Sequence, residues 1–337
     1  MGSLSFSGRR VQVLRFLLVF SVILGVYAEV SAGSHAVDIH LQTATGTLRG
    51  TLQLPEAAGK TAAVALIIAG SGPTDRDGNT VGLPGRNNSL KMLAEELARA
   101  GYASVRYDKR GIGASNQAAL DESQLRLDTY VQDAASWMEM LVADSRFDCV
   151  VVIGHSEGAL IGILAAQQQP HCARVTLASP SGSAADLLRH QLSGLLPTDL
   201  ERAAAAIIRS LEMGETVPVV PQELALLFRE SVQPYLISWF PYQPAEELQK
   251  LSTPVAIFHG QTDMQVPVAE AQALQAANPD ARLHVIPGMN HILKLVEDDP
   301  QAQRISYENP DVPLAPELVR QLVNFLNEAL VPAEELP

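Results

Sequence analysis

Short strand-like runs alternate with stretches of helical spacing through the first half of this chain, and that alternation restricts its fold more than any other feature. The runs 62–69, 103–107, 149–154 and 175–178 are separated by helical patterns at 89–100, 127–142 and 158–168. The runs at 62–69 and 149–154 are continuously apolar rather than alternating, as strands buried on both faces are. Strands that alternate with helices predict an α/β architecture, with a mostly parallel central sheet and helices on both of its faces. Leu90, Leu93 and Leu97 share one face of the first helix, with Ser89 placed to cap it. Ahead of these units, residues 36–54 alternate polar and apolar and predict a half-buried antiparallel hairpin.

The rhythm breaks after residue 182. Residues 183–251 hold no clear strand and several helical patterns, of which 203–211 and 221–231 are the clearest. A helical insertion between two strands is expected to cap the active edge of the sheet. A strand at 255–259, a helix at 268–277, a strand at 282–286 and a helix at 315–330 then complete the core, which is expected to comprise residues 36–182 and 252–330.

Two of the strand ends carry chemistry, and a third supports it. Gly154-His155-Ser156-Glu157-Gly158 follows an apolar strand and opens a helix, the context in which G-x-S-x-G makes a tight turn that lifts a serine hydroxyl clear of the backbone. A serine hydroxyl is a weak nucleophile and needs a base. In chain order an acid and then a histidine are required. Asp263 in Gly260-Gln261-Thr262-Asp263 and His291 in Gly288-Met289-Asn290-His291 each lie just past a strand, where α/β sheets place their sites. The reading is therefore Ser156 as nucleophile, His291 as proton shuttle and Asp263 as its orienting carboxylate, so that activity falls when the base is protonated in acid. Two backbone N–H groups should bind the oxyanion. One comes from Glu157, and the other from the Gly70-Ser71-Gly72-Pro73 loop, with Ser71 favoured and Gly72 as its neighbour. Of the other histidines, His155 is expected to pack under the turn and His259 to be a buried, hydrogen-bonded side chain.

Other polar clusters read as structural. Asp75-Arg76-Asp77-Gly78-Asn79 starts like a calcium loop, but the twelfth position, which needs a glutamate, is Arg86. Its charges are expected to pin a loop, and those of Asp108-Lys109-Arg110 to hold loops together rather than touch substrate. Cys149 and Cys172 have no histidine at metal-ligand spacing. They would open adjacent parallel strands at the end away from the site, within reach of a structural disulfide. No metal or cofactor is expected.

A net charge of −13 argues against a nucleic-acid partner. Residues 1–28 read as a signal peptide: Arg9, Arg10 and Arg15 precede an uncharged run from 16 to 28, with cleavage after Ala28 or as late as Ala32. That run is shorter than the roughly 20 residues of a membrane span. The expectation is a secreted or periplasmic protein with no stable span after cleavage, acting on a small-molecule ester.

Taken together, these motifs resemble the bacterial α/β-hydrolase esterases related to the serine aminopeptidase-like and lysophospholipase-like hydrolases. The carriers are the loop 70–78, the turn 108–113, the elbow 154–158 and the strand ends at Asp263 and His291. The resemblance runs from about residue 36 to 330. It implies an α/β-hydrolase fold and a cofactor-free carboxylesterase, often acting on short acyl chains, and the expected substrates are short- to medium-chain acyl esters hydrolysed through an acyl-enzyme. A peptidase or amidase with the same triad is the alternative. It would need an acidic pocket, for which Glu223, Glu230, Glu246 and Glu247 of the insertion are the available acids. A ligand-binding protein on an inactive hydrolase scaffold is the third reading.

Overall fold

The computed structural model describes residues 35–55, 61–82 and 84–330. The leader reading of residues 1–28 and its cleavage as late as 32 lie outside them. Strands β1 (His35–Thr43) and β2 (Gly46–Leu54) form the hairpin. β3 (Thr61–Ile68), α1 (Ser89–Arg99), β4 (Ala103–Tyr107), α2 (Leu127–Val142), β5 (Phe147–His155), α3 (Glu157–Ala166) and β6 (Ala173–Leu177) then alternate. After β6 come helices α4 (Ala184–Leu192), α5 (Thr198–Glu212), α6 (Ala225–Phe228), α7 (Gln233–Trp239) and α8 (Pro244–Gln249). The chain closes through β7 (Val255–Gly260), α9 (Val268–Ala277), β8 (Arg282–Ile286), α10 (Pro300–Ser306) and α11 (Pro316–Ala329).

The eight strands form one sheet in the order β1-β2-β4-β3-β5-β6-β7-β8. β1 pairs antiparallel with β2 and β2 with β4, while every pairing from β4 through β3 to β8 is parallel. Strand side chains alternate between faces, and here they divide the core. Val64, Leu66 and Ile68 of β3 join Val150 and Val152 of β5 on one face, with Trp137 of α2 and Leu160 of α3. Ala63, Ala65 and Ile67 join Val151 and Ile153 on the other, against Leu90 and Leu93 of α1 and Leu318 and Leu322 of α11. Each fully buried aliphatic side chain of this kind contributes about 1.5–3 kcal/mol. Residues buried on both faces explain why these strands are unbroken apolar runs.

The helices between β6 and β7 share the first of these cores through Ile207 and Leu211 of α5 and Phe228 of α6. The 221–231 pattern is not one helix: α6 is flanked by 3-10 turns at Gln222–Leu224 and Glu230–Val232. Ser89 is not the cap of α1. Asn88 holds that position in a left-handed conformation, and the Ser89 N–H instead donates to the Asn87 side chain at 2.9 Å. Cys149 and Cys172 form a disulfide with their Cα atoms 5.9 Å apart, where β5 and β6 enter the sheet. Among the described residues no helix is long and apolar enough to cross a membrane.

Candidate active site

The β5–α3 turn is possible only because two of its residues lack side chains. A Cβ on Gly154 would fall 2.3 Å from the Cα of Ala159, and one on Gly158 would fall 2.3 Å from the Ile68 carbonyl oxygen. Between them Ser156 takes φ 54° and ψ −122°, a conformation that costs a non-glycine residue of order 1–3 kcal/mol. The sheet holds it there: the Ser156 N–H donates to the Leu177 carbonyl on β6 at 2.8 Å.

His291 and Asp263 arrive from the loops after β8 and β7. His291 Nδ1 donates to Asp263 Oδ2 at 2.8 Å, and Asp263 Oδ1 accepts the N–H groups of Gln265 and Val266 at 2.8 and 2.9 Å. The Asp263 side chain is fully buried. Burial alone would raise its pKa, but His291 and the Val266 N–H outweigh burial and hold the carboxyl below its usual range. With Nδ1 committed to the carboxylate, the lone pair of the neutral ring is on Nε2.

Ser156 and His291 line one cavity of about 120 Å³ together with Gly70 and Ser71. Of the residues read from the sequence, Ser71, Ser156 and His291 therefore meet at this cavity, and Asp263 stands behind His291. Gly72 and Glu157 are not among its lining residues. Glu157 begins α3 directly after Ser156. Among the described residues no protein acceptor takes the backbone N–H of Ser71 or of Glu157.

Two more histidines buttress the site. His155 donates Nε2–H to the His291 carbonyl at 2.8 Å, its ring centroid 4.9 Å from that of His291. Burial, reinforced by the nearby His291, pushes its pKa down to about 3, so the ring is neutral. His259 donates Nε2–H to the Val266 carbonyl at 2.8 Å, and the same nitrogen lies 3.7 Å from Asp263 Oδ2.

The charged loops lock onto one another. Asp108 accepts the Arg76 N–H at 2.7 Å and its guanidinium at 2.8 Å, and Asp77 pairs with Arg106 at 3.1 Å. Lys109 goes further toward the site. Its ammonium donates to the Gly70 carbonyl at 2.6 Å and to Glu157 Oε2 at 2.9 Å, while Tyr235 of α7 donates to Glu157 Oε1 at 2.5 Å. Sequence reasoning missed this contact, because 48 residues separate Lys109 from Glu157 and no local pattern announces the pair. It also missed Tyr307, which follows α10, lines the cavity and accepts Gln265 Nε2–H at 2.5 Å. Among the described residues no carboxylate lines the cavity, and Glu223, Glu230, Glu246 and Glu247 are not among those that line it. Chemically, a serine on a strained turn that shares a cavity with a carboxylate-held imidazole provides the parts for nucleophilic acyl transfer.

Comparison with known proteins agrees with the architecture. The family model described as serine aminopeptidase, S33 matches residues 81–216. An esterase of Thermotoga maritima, EstD, is 26% identical over 268 residues, covering 79% of this chain and 60% of that protein. The chain thus spans about 60% of the length of this curated relative. Est1E from Butyrivibrio proteoclasticus superposes with a TM-score of 0.57 at 17% identity, over 87% of this chain and 98% of that one. An esterase of Pyrococcus furiosus gives 0.56 at 15% identity, over 88% and 94%. The eight-stranded, mostly parallel sheet with its flanking helices is the α/β-hydrolase fold.

Proposed function

We propose that this α/β-hydrolase is a serine carboxylesterase that cleaves short-chain acyl esters through an acyl-enzyme. The observation that carries the reading is the His291–Asp263 hydrogen bond of 2.8 Å beside a cavity that Ser156 and His291 both line. Ser156 Oγ attacks the ester carbonyl while His291 Nε2 takes its proton. The tetrahedral oxyanion is met by the N–H groups of Ser71 and Glu157. His291 returns the proton to the departing alcohol, and water, activated by the same ring, releases the acid.

The cavity of about 120 Å³ is small beside the roughly 300–1,000 Å³ of typical ligand sites, which favours short acyl chains over long ones. The peptidase alternative draws support from the serine aminopeptidase family model. Against it, no carboxylate among the described residues lines the cavity to receive a substrate ammonium group. The helices between β6 and β7 serve as the cap, and the leader pattern with the Cys149–Cys172 disulfide favours a secreted or periplasmic location.

Hydrolysis of p-nitrophenyl esters from acetate to laurate, run beside amino-acyl arylamides, tests the proposal. Turnover of short esters exceeding that of every arylamide is expected. Faster arylamide cleavage would transfer the site to the peptidase reading.

A further inference from the structure

We infer that Lys109 is a positioning residue that sets the oxyanion hole, fixing the Gly70–Ser71 peptide and the start of α3 with one buried ammonium group. The inference rests on the esterase reading, since it concerns how that reaction's oxyanion would be met.

The geometry is specific. Lys109 is 1% exposed and Glu157 3%. Their ion pair spans 2.9 Å, and the same ammonium donates to the Gly70 carbonyl at 2.6 Å. The Lys109 nitrogen also sits 5.0 Å from the centroid of the Tyr130 ring. Burying such a pair is a weak device for stability, because desolvation offsets much of the attraction and apolar residues often do as well. Apolar residues cannot, however, orient a peptide group.

That orientation matters here. A peptide unit is planar and trans, so its C=O and N–H point in opposite directions. When Lys109 holds the Gly70 carbonyl, the N–H of the same unit, which belongs to Ser71, is turned away from Lys109. Ser71 lines the cavity that holds Ser156 and His291. A charged donor on the carbonyl also polarises the unit, which strengthens its N–H as a donor. The loop has no slack at this point, because a Cβ on Gly70 would lie 3.2 Å from both the Ser156 Cβ and His155 Nδ1.

The second donor is tied to the same ammonium. Glu157 supplies its own backbone N–H, and its carboxylate is held by Lys109 on one oxygen and by Tyr235 on the other. Lys109 thus joins the two halves of the hole, which the chain delivers from separate loops after β3 and β5. Tyr235 extends the contact to α7.

The test compares wild type, Lys109→Met, Lys109→Met/Glu157→Gln and Tyr235→Phe. Each is assayed with p-nitrophenyl acetate, with a trifluoromethyl ketone that places an oxyanion on Ser156 as a hemiketal, and by thermal melting. Loss of one oxyanion donor costs about 10²–10³ in kcat, and a misaimed donor should cost somewhat less. The expected result for Lys109→Met is a fall in kcat of about 10–100-fold with KM nearly unchanged, and a matching rise in the ketone inhibition constant. The double variant removes the uncompensated carboxylate, so its melting temperature should recover while kcat stays low. Tyr235→Phe leaves the Gly70 contact in place and should lose less activity than Lys109→Met.

A Lys109→Met protein with wild-type kcat and ketone affinity would overturn the inference. So would a double variant in which activity returns together with stability, since that is the signature of a purely structural pair. If Lys109→Met does not fold, the double variant alone decides. Absence of ester turnover by the wild-type protein would overturn the esterase reading, and this inference with it.

Discussion

The two oxygens of Asp263 face different tasks: Oδ2 accepts His291 Nδ1–H at 2.8 Å, and Oδ1 accepts two backbone N–H groups of its own loop. The carboxylate is thereby fixed before it fixes the ring. Asp263→Asn would keep the shape and lose the charge, and its amide N–H would favour the wrong histidine tautomer. A fall in kcat of about 10⁴ is expected on the precedent of serine proteases, with the circular dichroism spectrum unchanged. A loss of less than about tenfold would mean that Asp263 is not the orienting acid.

His155 makes stability depend on pH. Its pKa is lowered to about 3 in the folded protein, first by burial and then by the nearby His291, whereas a free imidazole has a pKa near 6.5. Between about pH 3 and 6.5 the unfolded chain therefore binds more protons at this position. Stability is retained above that window and declines as pH falls through it, by up to about 1.4 kcal/mol per pH unit. Burial also lowers the pKa of His259, which acts in the same direction. His155→Gln should flatten the dependence of unfolding free energy on pH between 6 and 4 by nearly one proton. An unaltered slope, measured by urea unfolding, would contradict this.

Much of the fold was legible because its causes are local. The helices at 127–142 and 268–277 and the strand at 282–286 have the bounds their patterns predict, since their ends coincide with changes of apolar period. The elbow could be read because the glycines flanking Ser156 are a steric necessity that leaves a mark in sequence. Where several short elements share a stretch, periodicity fails. Residues 221–231 hold two 3-10 turns around a four-residue helix, too short to establish a phase. Tyr307 reaches the cavity from the segment between His291 and α11, where α10 has no amphipathic pattern to announce it. Lys109 was read as a loop-holding charge. Which loop it holds depends on tertiary placement that spacing does not carry.

The Cys149–Cys172 disulfide closes a segment with a sequence separation of 23. Chain-entropy arguments assign such a loop about 3 kcal/mol. It lies where β5 and β6 enter the sheet, away from Ser156 at the end of β5. Cys149→Ser/Cys172→Ser is expected to lose about that much stability in denaturant titrations while keeping kcat and KM at 25 °C. An unchanged unfolding midpoint would show that the bridge does not constrain the chain.

Acyl-chain selection should trace to Tyr307. The side chain lines the cavity and is tethered to Gln265 at 2.5 Å. Tyr307→Ala removes a lining side chain and the partner of the Gln265 amide. The preferred p-nitrophenyl ester should move toward octanoate, with kcat/KM for acetate reduced. A chain-length profile identical to wild type would place the acyl group elsewhere.

The central claim is that Ser156 is the nucleophile, and covalent trapping tests it most directly. The protein and its Ser156→Ala variant would be treated with a fluorophosphonate, mapped by peptide mass spectrometry, and assayed with p-nitrophenyl acetate. One adduct per chain on Ser156 is predicted, with ester turnover reduced by about 10⁴-fold or more in the variant. An adduct on a different residue, or a Ser156→Ala protein that still turns over the ester, would contradict the account.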